Sequence, residues 1–136
     1  YHVPDRKKAL TEIKRVLKGD GCLIASTVGA NHMKEMYGWL QRVNKNPRPD
    51  MFTNPFTLES GLAQLLEVFP NVEKSQYVDN LRVTELDPLM NYIRSSIPAE
   101  DISEPEFETL KKEFAAVLKK DGEIFISKDS GLFKAL

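Results

Sequence analysis

The sequence predicts an α/β fold, and three observations carry the prediction. Amphipathic helical stretches alternate with short strand-like runs along the chain. One of those runs, "CLIAST", follows a helix through a tight turn and contains no charge. The chain closes on an alternating stretch, "EIFISKDSGLF", that reads as a final strand. Helices interleaved with strands bury their apolar faces as a sheet flanked by helices. At 136 residues the chain is expected to form one domain over 1–136. Hydrophobic residues at 41% and charged residues at 29% suit an ordinary globular chain. The net charge of −1 gives no general attraction to nucleic acid or anionic lipid. No apolar run approaches the roughly 20 residues that span a bilayer. Cys22 is the single cysteine and has no internal disulfide partner, which fits a reducing, cytoplasmic setting.

Each element follows from local pattern. Pro4-Asp5 opens the first helix with Asp5 as its cap. Ala9, Leu10, Ile13, Val16 and Leu17 form its buried stripe. Gly19-Asp20-Gly21 is expected to stop it, since glycine tolerates positive φ. "CLIAST" is then expected to be a strand covered on both faces. A second helix runs over Asn31–Asn44, with Met33, Met36, Tyr37, Leu40 and Val43 on one side. "NKNPRPD" is a loop. Thr57 caps a third helix carrying Leu58, Leu62, Leu65, Leu66 and Phe69. "PNVEKSQYV" is a turn and a strand, which Asp79-Asn80 is expected to bend or end before a further short extended piece, "LRVTE". A short helix covers Pro88–Ser95, and "SIPAEDISEP" is a polar connection. The most regular helix spans Glu104–Lys120, with Phe107, Leu110, Phe114, Val117 and Leu118 as its stripe. Asp121-Gly122 stops it, and the final strand carries a turn near Asp129–Gly131.

Chemistry-bearing motifs are sparse. The Gly19-x-Gly21 pair closes a helix and opens a strand, the reverse of a phosphate-cradling loop, so it reads as a turn. His2, His32 and Cys22 have no partners at metal-ligand spacing. His32 and Glu35, one helical turn apart, read as a solvated helix start. Trp39 lies off the main stripe of its helix and is either a packing residue or a lid over a pocket. Tyr1-His2 sits just before a helix. If a strand precedes it, the imidazole lies at a strand's carboxyl end, where open α/β sheets bind ligands. His2 then either acts on a proton or only orders the turn.

The stretch "YHVPDRKKALTEIKRVLKGDGCLIASTVG" resembles the region that follows the cofactor-binding motif of class I S-adenosylmethionine-dependent methyltransferases. Members carry a tyrosine–histidine or paired-histidine turn, an aspartate, a helix ending in a lysine–proline–glycine–glycine turn, and a strand. Here Lys18-Gly19-Asp20-Gly21 departs from that turn. "GEIFISKDSGLFKAL" is similar to the family's last strand, and residues 57–96 to its intervening helix, sixth strand and following helix. The resemblance implies the C-terminal half of a Rossmann-like methyltransferase fold, from the end of strand four onward. Its sheet would be small and mixed, with strands five, seven and six flanked by helices and strand seven antiparallel. Residues 1–136 would form a single partial methyltransferase domain whose N-terminal cofactor-binding half precedes Tyr1.

The resemblance also implies site residues. Tyr1 and His2 border the methyl donor, S-adenosylmethionine, and His2 is the candidate catalytic base. Asn31, Tyr37 and Trp39 fall where an acceptor pocket is covered. The methyl acceptor is expected to be a small molecule rather than nucleic acid, with no membrane partner, and the isolated chain is expected to be inactive. With strand four absent, residues 22–27 form a sheet edge without Pro or Lys to guard it, so a homodimer through that edge is expected. Competing readings are a non-enzymatic α/β binding module that keeps the half-fold, and a small α/β domain unrelated to the family.

Overall fold

The structure, a computed structural model, describes residues 3–44, 55–97 and 101–136. The described elements run α1 (Arg6–Val16), β1 (Leu23–Val28), α2 (Lys34–Val43), α3 (Gly61–Leu66), β2 (Val72–Val83), α4 (Leu86–Ser96), α5 (Glu104–Asp121) and β3 (Ile124–Ala135). The fold is α/β: a small open sheet of three strands in the order β1-β3-β2, with flanking helices. The sheet is antiparallel rather than mixed, because β3 lies between β1 and β2 and runs against its neighbours. No described helix is long and apolar enough to cross a membrane.

The chain divides into two compact units, each with its own core. The first comprises residues 1–32, 54–79 and 129–136. Here Asp5 caps α1 as expected, its carboxylate accepting the Lys8 N–H at 2.9 Å. Leu10 of α1 joins Leu58, Leu65, Phe69, Phe133 and Ala135 in the core. Val16 is 65% exposed and leaves the predicted stripe, since the helix ends there and Leu17 is already extended. Gly19 and Gly21 are not the stop: neither has positive φ, and Gly21 N–H closes a turn on Lys18 O at 2.9 Å.

β1 pairs with β3 in antiparallel register from Leu23↔Ala135 to Val28↔Ser130. Opposed residues share a face, so Leu23, Ala25 and Thr27 lie with Ala135, Phe133 and Gly131. The other face holds Ile24, which is 53% exposed, and Ser26. β1 is therefore covered on one face, not two as its composition suggests. It is also an edge strand. Part of that edge is occupied. Gly29 N–H turns toward β3 to reach Asp129 O at 2.9 Å, so Val28 directs its carbonyl the other way, where the Leu58 N–H takes it at 3.1 Å.

Two turn signals are overridden. β2 runs unbroken through Asp79-Asn80, and β3 runs unbroken through Asp129–Gly131. At Gly131 a side chain would collide with the carbonyl of Ser75, so the glycine marks close approach of β2 rather than a turn. The third predicted helix is short: Thr57 Oγ1 does accept the Glu59 and Ser60 N–H groups, but α3 covers only Gly61–Leu66 and Leu66 faces solvent.

The second unit comprises residues 33–53 and 80–128. α2 begins at Lys34 rather than Asn31 because Met33 adopts φ 55°, a left-handed conformation strained for a bulky side chain. Met33 N–H bonds Ser127 O at 2.8 Å, and its side chain is buried. α2 and α4 pack against α5. Their core joins Met36, Leu40, Leu89, Met90 and Ile93 to Phe107, Leu110 and Phe114 of α5 and Ile124 and Ile126 of β3. α5 starts at a capping box, with the Ser103 N–H and hydroxyl donating to Glu106 Oε2 at 2.8 and 2.6 Å. It ends where expected, at Gly122 with φ 78°. The predicted polar connection is not wholly exposed: Asp101 and Ile102 are buried, and Asp101 O accepts from Asn44 Nδ2 at 2.7 Å.

Phe133→Ala is expected to lower stability by about 3–5 kcal/mol, as for other large-to-small changes at a fully buried aromatic. Val16→Lys should stay within about 0.5 kcal/mol. Urea denaturation of both variants checks the assignment of these two residues.

Candidate functional site

In the first unit, polar side chains gather at the carboxyl end of β1. The strand runs into the loop Gly29–His32, whose backbone is held by two carboxylates. Glu59 accepts the Ala30 N–H at 3.1 Å, and Asp129 accepts the Asn31 N–H at 3.4 Å. Gln76 Nε2 donates to the other oxygen of Asp129 at 2.7 Å. His32 N–H closes the turn on Gly29 O at 3.2 Å. His32 Nδ1 lies 3.2 Å from the Asp129 backbone nitrogen and 3.1 Å from the Asp129 carbonyl oxygen, accepting from the first or donating to the second according to the ring's tautomer. Gly29 is buried against the Asp129 carboxylate, in space that a Cβ would occupy.

Local sequence explains each position. Thr57 and Ser60 form a hydroxyl-capped turn, with the Thr57 N–H bonded to Ser60 Oγ at 3.0 Å, and this turn presents Glu59. The hydrogen bond from Thr57, joined by the Ala30 N–H, holds the Glu59 carboxyl below the usual carboxylate range. Asp129 is delivered by β3 and Gln76 by β2. The result combines two carboxylates, an imidazole and a carboxamide around one strand end. Such a set can accept hydrogen bonds from a ligand's N–H or O–H groups and exchange a proton through the imidazole. Among the described residues, no three His, Cys, Asp or Glu side chains gather as a metal-ligand set.

The residues predicted from sequence are distributed as follows. Tyr1 and His2 lie outside the described residues. Asn31 sits in the loop after β1, exposed, with its backbone on Asp129. Tyr37 and Trp39 lie on α2 in the second unit. Tyr37 packs half-buried against that core, and burial, followed by the nearby Tyr92, pushes its hydroxyl pKa up. Trp39 meets Phe114 edge to face at 4.8 Å and carries Arg42 over its ring, so its indole is a packing group. Glu35 is not a solvated helix start. Its carboxylate accepts the Ser127 N–H at 2.8 Å and the Ser127 hydroxyl at 2.7 Å. Burial works to raise its pKa, but these two bonds outweigh it and hold the pKa below the usual value.

Sequence reading missed Glu59, Gln76 and Asp129. The Thr57-x-x-Ser60 turn signals the first locally; the other two reach the loop only through strand pairing. Cavities lie elsewhere among the described residues. One, of about 250 Å³, is lined by Arg6, Lys7, Leu10, Gln64 and Glu67. Another, of about 220 Å³, is bordered by Arg94 and Phe107, with Arg94 already paired to Glu104. No protein-family model matches the sequence, and no curated protein matches it.

Two outcomes check this geometry. Gly29→Ala should destabilise by about 1–3 kcal/mol through the clash with Asp129, and much less on an Asp129→Ala background, as a double-mutant cycle reads. Glu35 has a folded-state pKa below its unfolded value. Its contribution is therefore present above the unfolded pKa and is lost as pH falls through the folded one. Glu35→Gln should cost about 1 kcal/mol near neutral pH, a value already reduced for solvent exposure, and should flatten the loss of stability on acidification. Denaturant melts between about pH 6 and pH 3 read both effects.

Proposed function

We propose that this chain is the acceptor-side half of an S-adenosylmethionine-dependent methyltransferase domain. The observation that carries the reading is the strand order β1-β3-β2, with the chain's last strand inserted antiparallel beside β1. That is the five-seven-six order implied by the resemblance of residues 1–136 to the family. The polar cluster at the carboxyl end of β1 supports it further, because open α/β sheets bind ligands outside the carboxyl ends of their strands.

The described residues do not fit the cofactor by themselves. The loop after β1 has one glycine at its start, and the Asp129 carboxylate fills the space beside it. No second glycine follows to let a backbone approach a large ligand. On this reading the cofactor is held by sequence upstream of Tyr1. The present chain would supply the acceptor's surroundings, with Asn31 at the strand end and His2 as a base for acceptors that must lose a proton. The acceptor belongs to the small-molecule class, matched by the donor and acceptor groups around β1.

A second reading, a non-enzymatic α/β interaction module, is favoured by the exposure of β2 from Glu73 to Arg82. Calorimetric titration with S-adenosylmethionine separates the two. Methyltransferase ancestry predicts no binding by residues 1–136 and micromolar binding by a native product that extends upstream of Tyr1. A native product of that kind that fails to bind contradicts it, as does one that begins at Tyr1. In the extended product, His2→Ala should lower turnover by roughly 10²–10⁴-fold with little change in melting temperature if the imidazole acts as the base. Unchanged turnover makes His2 a turn residue.

A further inference from the structure

We propose that the cleft between α1 and α3 binds a small oxyanion, a carboxylate or phosphate group, on the Arg6 guanidinium. The inference is independent of the methyl-transfer reading. The cleft is the cavity of about 250 Å³ lined by Arg6, Lys7, Leu10, Gln64 and Glu67, all within the first unit. It falls below the roughly 300–1,000 Å³ of pockets that take drug-sized ligands, so its occupant is small. Arg6 stands apart from the other described arginines. Arg15, Arg42, Arg82 and Arg94 each pair with a glutamate. Arg6 is half-buried and has no carboxylate partner among the described residues. Its Nε donates instead to the Gln64 amide oxygen at 2.7 Å. Gln64 is held in turn, with Nε2 donating to Pro55 O at 2.9 Å and Ser60 O at 3.4 Å. A carboxamide orients the guanidinium without neutralising it.

The guanidinium keeps donors to offer. Nη1 reaches only Val3 O, at 3.5 Å, the outer limit of a hydrogen bond, and Nη2 has no acceptor among the described residues. Together these two nitrogens form a fork that a carboxylate or phosphate takes through two oxygens. Charge favours the same ligand. Lys7 Nζ and Glu67 Oε2 lie 3.1 Å apart and offset one another, which leaves the Arg6 charge uncompensated in the cleft. Leu10 adds an apolar wall that suits a short carbon chain behind the anionic head. The cleft is also tied to the carboxyl end of β1. Pro55 and Ser60, which hold Gln64, flank the turn whose Leu58 N–H docks on Val28 O and whose Glu59 accepts the Ala30 N–H.

Nuclear magnetic resonance of the 136-residue chain tests the site, with sodium phosphate, acetate and butyrate titrated at constant ionic strength against sodium chloride. The Arg6 Nε–H and Gln64 side-chain amide signals should shift and saturate, with a dissociation constant of about 1–10 mM for at least one of the three anions. Tightest binding of butyrate assigns a carboxylate ligand that uses the Leu10 wall, and tightest binding of phosphate assigns a phosphate ligand. Arg6→Lys replaces the fork with a point charge and should weaken binding by at least about tenfold, read from the Gln64 amide. Arg15→Lys, at an arginine already paired on the surface, should leave binding unchanged. The wild-type titration keeps the proposal falsifiable even if Arg6→Lys fails to fold. Shifts that chloride reproduces, or that never saturate, overturn it. So does binding indifferent to Arg6→Lys, or weakened equally by Arg15→Lys.

Discussion

The pairing of the last strand with the first is the constraint on which the rest depends. β3 comes from the end of the chain and takes the central place in the sheet, in register with β1 from Ala135 to Ser130. Alternation along this one strand fills two cores: Ile124 and Ile126 belong to one, Phe133 and Ala135 to the other. All four are fully buried. Joining β1 to β3 closes a very long loop, a cost that non-local contacts must offset. The offset is visible in what the pairing buries: Phe133, edge to face with Phe56 and in one core with Leu58 and Leu65.

The same strand builds the candidate site. Asp129 binds the loop after β1 through its backbone, its carboxylate and the His32 ring nitrogen. Without β3 in the centre, neither Asp129 nor Gln76 would reach Gly29–His32. Fold and site therefore rest on one ladder, and the functional reading inherits its support from that ladder. The enzymatic reading uses the carboxyl end of β1; the interaction reading uses the outer strand β2. These are different surfaces, so the two are separable by experiment.

Much of the local structure was legible in the sequence. Asp5 and Gly122 mark helix ends by local signals, and both act as read, while the Ser103–Glu106 box that opens α5 is a local signal the sequence reading passed over. The stripes of α2 and α5 follow from periodicity and are buried along most of their length. What failed did so for non-local reasons. Asp79-Asn80 and Asp129–Gly131 carry turn residues, yet strand pairing extends straight through both. At Gly131 the glycine is required by the nearness of β2, which no local pattern encodes. Val16 and Leu66 continue an apolar period past the point where their helices have anything to pack on. "CLIAST" looks covered on both faces because it is uncharged, but only one face meets a core. The gathering of Glu59, Gln76 and Asp129 around one loop was beyond local reading, since three separate elements supply them.

Native-state hydrogen exchange of the chain tests the central role of β3 most directly. Amides that pair β3 with β1, in Ser130–Ala135 and Leu23–Val28, should be among the slowest to exchange and should open only with global unfolding. Exchange of the Ser130–Ala135 amides at the rate of the loop after β1, while α5 stays protected, would contradict the account, because the last strand would then be a peripheral addition rather than the element that organises the sheet.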